Sequence, residues 1–195
     1  MNTRFIDPVE TRELAGRLIR AWCLAYSWVL EYCRANGSVV ELCDRLRSAM
    51  ELFMSGSDDY VLDVVPCQII DGDEHVGAVY LSGEDGNPPY LLLASYTVLS
   101  DIVYAGFTLL HEVTHHVGFD DEDLADFIAA LVMDESIHRS LLGFLEKPPM
   151  AVRQAIDEAA RNGKTCDIMD LKRLLEDVGF VRVYGFNCDG REGIM

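Results

Sequence analysis

His111, Glu112 and His115 are the residues of this chain whose types and spacing can do chemistry. In His111-Glu112-Val113-Thr114-His115 two imidazoles stand four residues apart, with a carboxylate directly after the first. On a helix, positions i and i+4 share a face one turn apart, so both rings can reach one ion. Glu112, about 100° around the same helix, can lean over a water held by that ion and accept its proton as a general base. An ion bound in this way takes a third protein ligand and keeps one position open for water. Acids that could supply the ligand follow at once: Asp120, Asp121, Glu122 and Asp123.

Two helices must position these groups. The first is predicted over 98–117, where apolar residues recur at Ile102, Val103, Phe107, Leu109, Leu110, Val113 and Val117, and Ser100 or Thr97 offers an N-cap. Gly118 follows as a residue that can turn left-handed and reverse the chain. The second is predicted over 122–145, capped by Asp120 or Asp121, with small residues at Ala125, Ala129 and Ala130 that let the pair approach closely. Glu122 and Asp126 are one turn apart on it, so Glu122 can ligate while Asp126 accepts an N–H from a ligating histidine and fixes its tautomer. Asp121 is the rival ligand, at the end of His111-x3-His115-x2-Gly118-x2-Asp121, a spacing that resembles the metzincins with aspartate for their third histidine. Glu122 is favoured because Asp121 leaves the Glu122/Asp126 pair without a purpose, and because Met133, the methionine a metzincin would need beneath its metal, falls inside the second predicted helix.

His111-Glu112-x2-His115 followed by Glu122-x2-Ala125-Asp126-Phe127-Ile128-Ala129-Ala130-Leu131-Val132-Met133 resembles the gluzincin metallopeptidases, and among them the small ImmA/IrrE-type enzymes. The resemblance spans about 90–133. It implies a zincin-like fold and a Zn2+ ion held by His111, His115 and Glu122, with Glu112 as catalytic base and a peptide or protein as substrate, including the case of one specific partner protein. The match departs from the family where the apolar run ends in Asp134 rather than proline, and where Asp126 directly precedes Phe127.

The segment before the first of these helices predicts strands over 60–70, 75–81 and 90–95, rich in β-branched and aromatic residues and separated by turn-forming Asp71-Gly72-Asp73 and the stretch 83–89. Pro66 is expected to place the first of them at an edge or a bulge. One strand should present an edge to an extended peptide beside the metal. The fold class is therefore α+β: a small, mainly antiparallel sheet packed on the histidine-bearing helix and a second ligand-bearing helix, with further helices at both ends. Residues 1–147 form the metallopeptidase-like domain, with N-terminal helices in 9–54, and 148–195 a helical extension with a short strand over 180–186. Trp22, Tyr26, Trp28 and Tyr32 are read as a packing face against the sheet.

Composition bounds the function. With 33 acidic against 16 basic residues and a net charge of −17, a phosphate-neutralising surface for nucleic acid or for anionic membranes is not expected. The apolar stretch 21–30 is far too short to span a bilayer, and Asp7, Glu10 and Glu13 interrupt any leader-like start, so a cytoplasmic protein is expected. Six cysteines without a C-x2-C pair are then read as reduced, buried thiols, with Cys166–Cys188 as the one disulfide kept open. His116 points about 100° away from the His111/His115 stripe and is read as a surface residue or a support for the ligands. Tyr96, Tyr104 and His138 are weaker candidates for a donor to a developing oxyanion, and packing or surface roles are the simpler reading of each. The alternative function is a non-catalytic, zinc-stabilised interaction or regulatory protein in which His116 or a further acid closes the water position.

Overall fold

The computed structural model describes residues 8–55, 59–65, 68–71, 74–83, 88–133, 165–168, 181–183 and 185–188. It is an α+β fold of two long N-terminal helices, two small sheets and a pair of helices that carries the histidines. Helix α1 (Pro8–Ala35) and helix α2 (Val40–Met54) are joined by a tight turn. Leu14, Leu18, Ala21, Trp22, Ala25, Trp28 and Val29 repeat at helical spacing and are all buried. This stripe packs chiefly on the histidine helix rather than on the sheet, which corrects the expected placement of Trp22 and Trp28. Gly106 makes the close crossing possible: a Cβ there would meet the Trp28 ring at 3.1 Å and the Ala21 carbonyl at 3.2 Å.

Strands β1 (Val61–Val65), β2 (Gln68–Asp71), β3 (Glu74–Val76), β4 (Ala78–Leu81) and β5 (Tyr90–Ala94) follow. The one strand expected over 60–70 is two strands in different sheets, with Pro66, which lacks a ladder donor, in the sequence between them. With β6 (Thr165–Asp167) and β7 (Val181–Arg182), the orders are β4-β5-β1-β7 and β3-β2-β6. The sheets are mixed rather than mainly antiparallel, because β1 runs parallel to β5 in the register Val61↔Tyr90 to Val65↔Ala94, and β2 parallel to β6. Both β1 and β5 are almost wholly buried, which their near-continuous apolar sequences reflect. Among the described residues strand β4 lies at the edge of its sheet, antiparallel to β5. Residues from 148–195 add β7 to the first sheet and β6 to the second, while most of the helical part expected of that extension lies outside the described residues.

Four cysteines are paired, Cys23 with Cys188 and Cys33 with Cys43. The expectation of reduced thiols fails for these four, as does the Cys166–Cys188 alternative; the pairs join α1 to the end of the chain and α1 to α2. Paired cysteines also remove the cysteine argument for a reducing compartment. No described helix is long and apolar enough to cross a membrane.

Candidate metal centre

The helix expected over 98–117 is two helices, α3 (Ser95–Leu99) and α4 (Ile102–His116), separated at Ser100 and an extended Asp101. Asp101 is the N-cap, its carboxylate accepting from the amides of Val103 (2.8 Å) and Tyr104 (3.2 Å). The expected caps are used elsewhere: Thr97 donates its hydroxyl to the Gly77 carbonyl and Ser100 to the Thr97 carbonyl. Along α4, Tyr104, Thr108, His111 and His115 follow one face and line a cleft of about 780 Å³, while Ala105, Leu109 and Val113 are buried in the core.

The end of α4 sets the geometry of His115. Gly118 has φ +97°, its amide bonds the His115 carbonyl (2.9 Å) and the Phe119 amide bonds the Thr114 carbonyl (3.3 Å). This is the paired bonding of a glycine-terminated helix. It folds the Phe119 carbonyl back onto the imidazole, where it accepts from His115 Nδ1 at 2.8 Å. The Arg45 guanidinium, from α2, donates to the Val117 carbonyl and so satisfies a carbonyl at the negative end of the helix.

Helix α5 (Glu122–Val132) then returns along α4, capped by Asp121, whose carboxylate accepts from the Leu124 amide at 2.9 Å. It ends at Val132, with Met133 extended; the remainder of the helix expected to 145 lies outside the described residues. Ala125 and Ala129 are fully buried between the helices, as their size requires for a close approach. Glu122 and Asp126 project from successive turns toward the histidines. Asp126 accepts from His111 Nδ1 at 2.7 Å, the Glu122 carboxylate lies 3.0 Å from His111 Nε2 and 3.4 Å from His115 Nε2, and the two Nε2 atoms are 2.9 Å apart.

These contacts fit a cation. Carbonyl and carboxylate oxygens are acceptors only, so each Nδ1 carries a proton, and in the neutral, ligating form of the rings both Nε2 atoms present lone pairs. Two such lone pairs and a carboxylate facing one point repel one another unless positive charge sits between them. His111, His115 and Glu122 could hold a metal ion, with ligand atoms all within 4.8 Å of one another. Asp121, the rival ligand, is occupied as the helix cap.

Glu112 is buried beside this group, 7 % exposed. Burial pushes its pKa up to about 8; the Glu122 and Asp126 carboxylates push the same way and a hydrogen bond from the Tyr80 amide opposes them. A divalent cation at the three ligands would pull it back down. Tyr80 stands on edge strand β4, whose residues Ala78 to Tyr80 form one wall of the cleft.

His116 is not a surface residue. Its half-buried ring sits among Phe53, Tyr60 and Tyr80 at 5.3, 5.8 and 5.3 Å between ring centres, with Nδ1 at 3.0 Å from the Tyr80 hydroxyl. Burial lowers its pKa. Tyr96 donates to the Val76 carbonyl and packs, as expected, while Tyr104 lines the cleft. His138 lies outside the described residues. Sequence reasoning missed Tyr80 and the Phe119 carbonyl; only the latter had a signal, in the Gly118 turn. Compared with known proteins, the chain matches no family model, no curated protein and no solved structure.

Proposed function

We propose that the protein is a zinc-dependent metallopeptidase of the minimal gluzincin type, with a zincin-like fold and an ImmA/IrrE-like pair of helices. The observation that carries this is the convergence of His111, His115 and Glu122 with a buried Glu112 beside them, at the edge of a sheet. A bound zinc ion supplies Lewis acidity toward a water molecule and toward a substrate carbonyl. Glu112 takes the proton of the attacking water and hands it to the amine nitrogen that leaves. Asp126 and the Phe119 carbonyl hold the imidazoles in the tautomer that ligates.

Strand β4 is suited to hold an extended peptide. The Gly77 carbonyl bonds inward to the Ala94 amide, whereas the Tyr80 amide points at Glu112. By strand alternation the backbone groups of Ala78 and the Tyr80 carbonyl also face the cleft, where a substrate strand can pair with them. The net charge of −17 favours peptide over nucleic-acid substrates.

One observation favours this over the non-catalytic alternative. His116, the residue that would have closed the water position, is turned into its aromatic surround, and three protein ligands converge among the described residues. An open position is the mark of catalytic rather than structural zinc. Metal analysis by mass spectrometry of the purified protein, followed by digestion of unfolded β-casein with and without a chelator, tests both. Near-stoichiometric zinc with chelator-sensitive cleavage is expected. Zinc without cleavage would favour the interaction protein, and no metal after zinc addition would remove the site altogether.

A further inference from the structure

Glu112 and His116 are four residues apart on α4, as His111 and His115 are, so the helix carries a second stripe about 100° from the ligands. Both members of that stripe touch the same residue. Tyr80 gives its backbone amide to the Glu112 carboxylate, and its hydroxyl lies 3.0 Å from His116 Nδ1. Strand β4 is thereby gripped on α4 at two points separated by about one helical turn of 5.4 Å. A single contact would let the strand rock or slide along the helix; two contacts a turn apart fix its register. The ring of His116 cannot turn away, because Phe53 of α2 and Tyr60, just ahead of β1, pack against it edge to face at 5.3 and 5.8 Å. At the other end of the strand, Gly77 lies close against Thr97 and Tyr104, where a Cβ would come within 3.0 and 3.2 Å of their oxygens.

We propose that His116 is a positioning residue: through the Tyr80 side chain it sets the register of edge strand β4, so that the Tyr80 amide holds Glu112 and the outward groups of Ala78 and Tyr80 face the cleft. The catalytic consequence rests on the metallopeptidase reading; the structural one does not. His116 touches no ligand atom and acts only through Tyr80.

Amide hydrogen exchange on the zinc-loaded protein is the primary test, with His116→Phe, Tyr80→Phe and His116→Asn. Phenylalanine at 116 keeps an aromatic group in the surround and removes the polar contact. Asparagine restores a polar atom near the position of Nδ1. Exchange at the Tyr80 amide should rise about three- to tenfold in both phenylalanine variants, the worth of one neutral hydrogen bond, and return toward wild type in His116→Asn. Exchange at Leu93 and Val64, whose amides face away from β4, should not change, nor should zinc content. With a quenched fluorescent peptide, kcat should fall by a similar factor and by more than any rise in KM. An unchanged Tyr80 amide in His116→Phe would overturn the proposal, as would faster exchange throughout the sheet, which marks plain loss of packing. If the zinc-loaded wild type cleaves nothing, the peptidase function fails and the Tyr80 amide alone decides the role of His116.

Discussion

The helix pair α4–α5 and the scaffold beneath it are held together by different physics. In the pair, the contacts that shape the site are polar and short in sequence: His115 to Phe119 spans 4 residues, His111 to Glu122 spans 11 and His111 to Asp126 spans 15. In the scaffold, α1 buries an apolar stripe against α4 and is tied to the chain end by Cys23–Cys188, 165 residues apart. A local polar site can be altered without unfolding the protein. The long-range packing and cross-link of α1 set stability and line none of the cleft.

The sharpest break between the two is Glu112→Gln. The side chain keeps its size and can still accept from the Tyr80 amide, but it no longer takes a proton. Cleavage should fall by roughly 10²–10⁴-fold in kcat, the usual worth of a general base, while zinc content and unfolding midpoint stay near wild type. A metal-replete, fully active Glu112→Gln protein would take Glu112 out of the reaction.

The scaffold is broken from the other side by removing a cross-link. Closing a loop of 165 residues restricts the unfolded chain more than closing one of 10; chain entropy gives upper values of about 5 and about 3 kcal/mol. Cys23→Ala/Cys188→Ala should therefore lose more stability in urea than Cys33→Ala/Cys43→Ala, with zinc bound at full occupancy in both. Equal losses would mean that native contacts, not loop closure, set the difference. Loss of zinc in either would show that scaffold and site are not separable.

What was legible in the sequence divides along the same line. His111, His115, Glu122 and Asp126 could be placed because helical periodicity and the Gly118 turn fix their relative positions over a few residues. The break at Ser100–Asp101 was missed because the apolar period runs through it, and only the Asp101 cap marks it. The parallel pairing of β1 with β5 was missed because strand sequences report burial, not partner or direction. Tyr80 and His116 were missed as a pair because 36 residues separate them and neither type announces the other. The disulfides were missed for the same reason: cysteine spacing does not encode pairing, and Cys188 finds Cys23 only once β7 is laid beside β1.

Within the site, ligand and cap can be told apart by substitution. Zinc present at about 100 times its Kd should stabilise the folded protein by about 2.7 kcal/mol, read as a rise in Tm over the chelated protein. Glu122→Ala should abolish that rise. Asp121→Ala should keep it and lower both curves by the cap alone, about 1 kcal/mol. The reverse pattern would move the third ligand to Asp121 and leave the Glu122–His111 approach at 3.0 Å without a metal to explain it.

The smallest change that still joins fold to chemistry is Gly118→Ala. At φ +97° a Cβ strains the backbone, at about 1–2 kcal/mol. The nearest atom to that Cβ would be the Arg45 guanidinium at 3.1 Å, the far end of a flexible side chain that can move aside. Strain at the turn should instead shift the Phe119 carbonyl, and with it the hydrogen bond that orients His115. Groups that orient a ligand commonly carry about 10- to 100-fold in metal affinity. Displacing one rather than deleting it should weaken zinc binding by a few-fold up to about tenfold, measured by competition with a chromophoric chelator. A destabilised Gly118→Ala protein with wild-type zinc affinity would mean that His115 keeps its orientation without Phe119, and that the turn serves the helix alone.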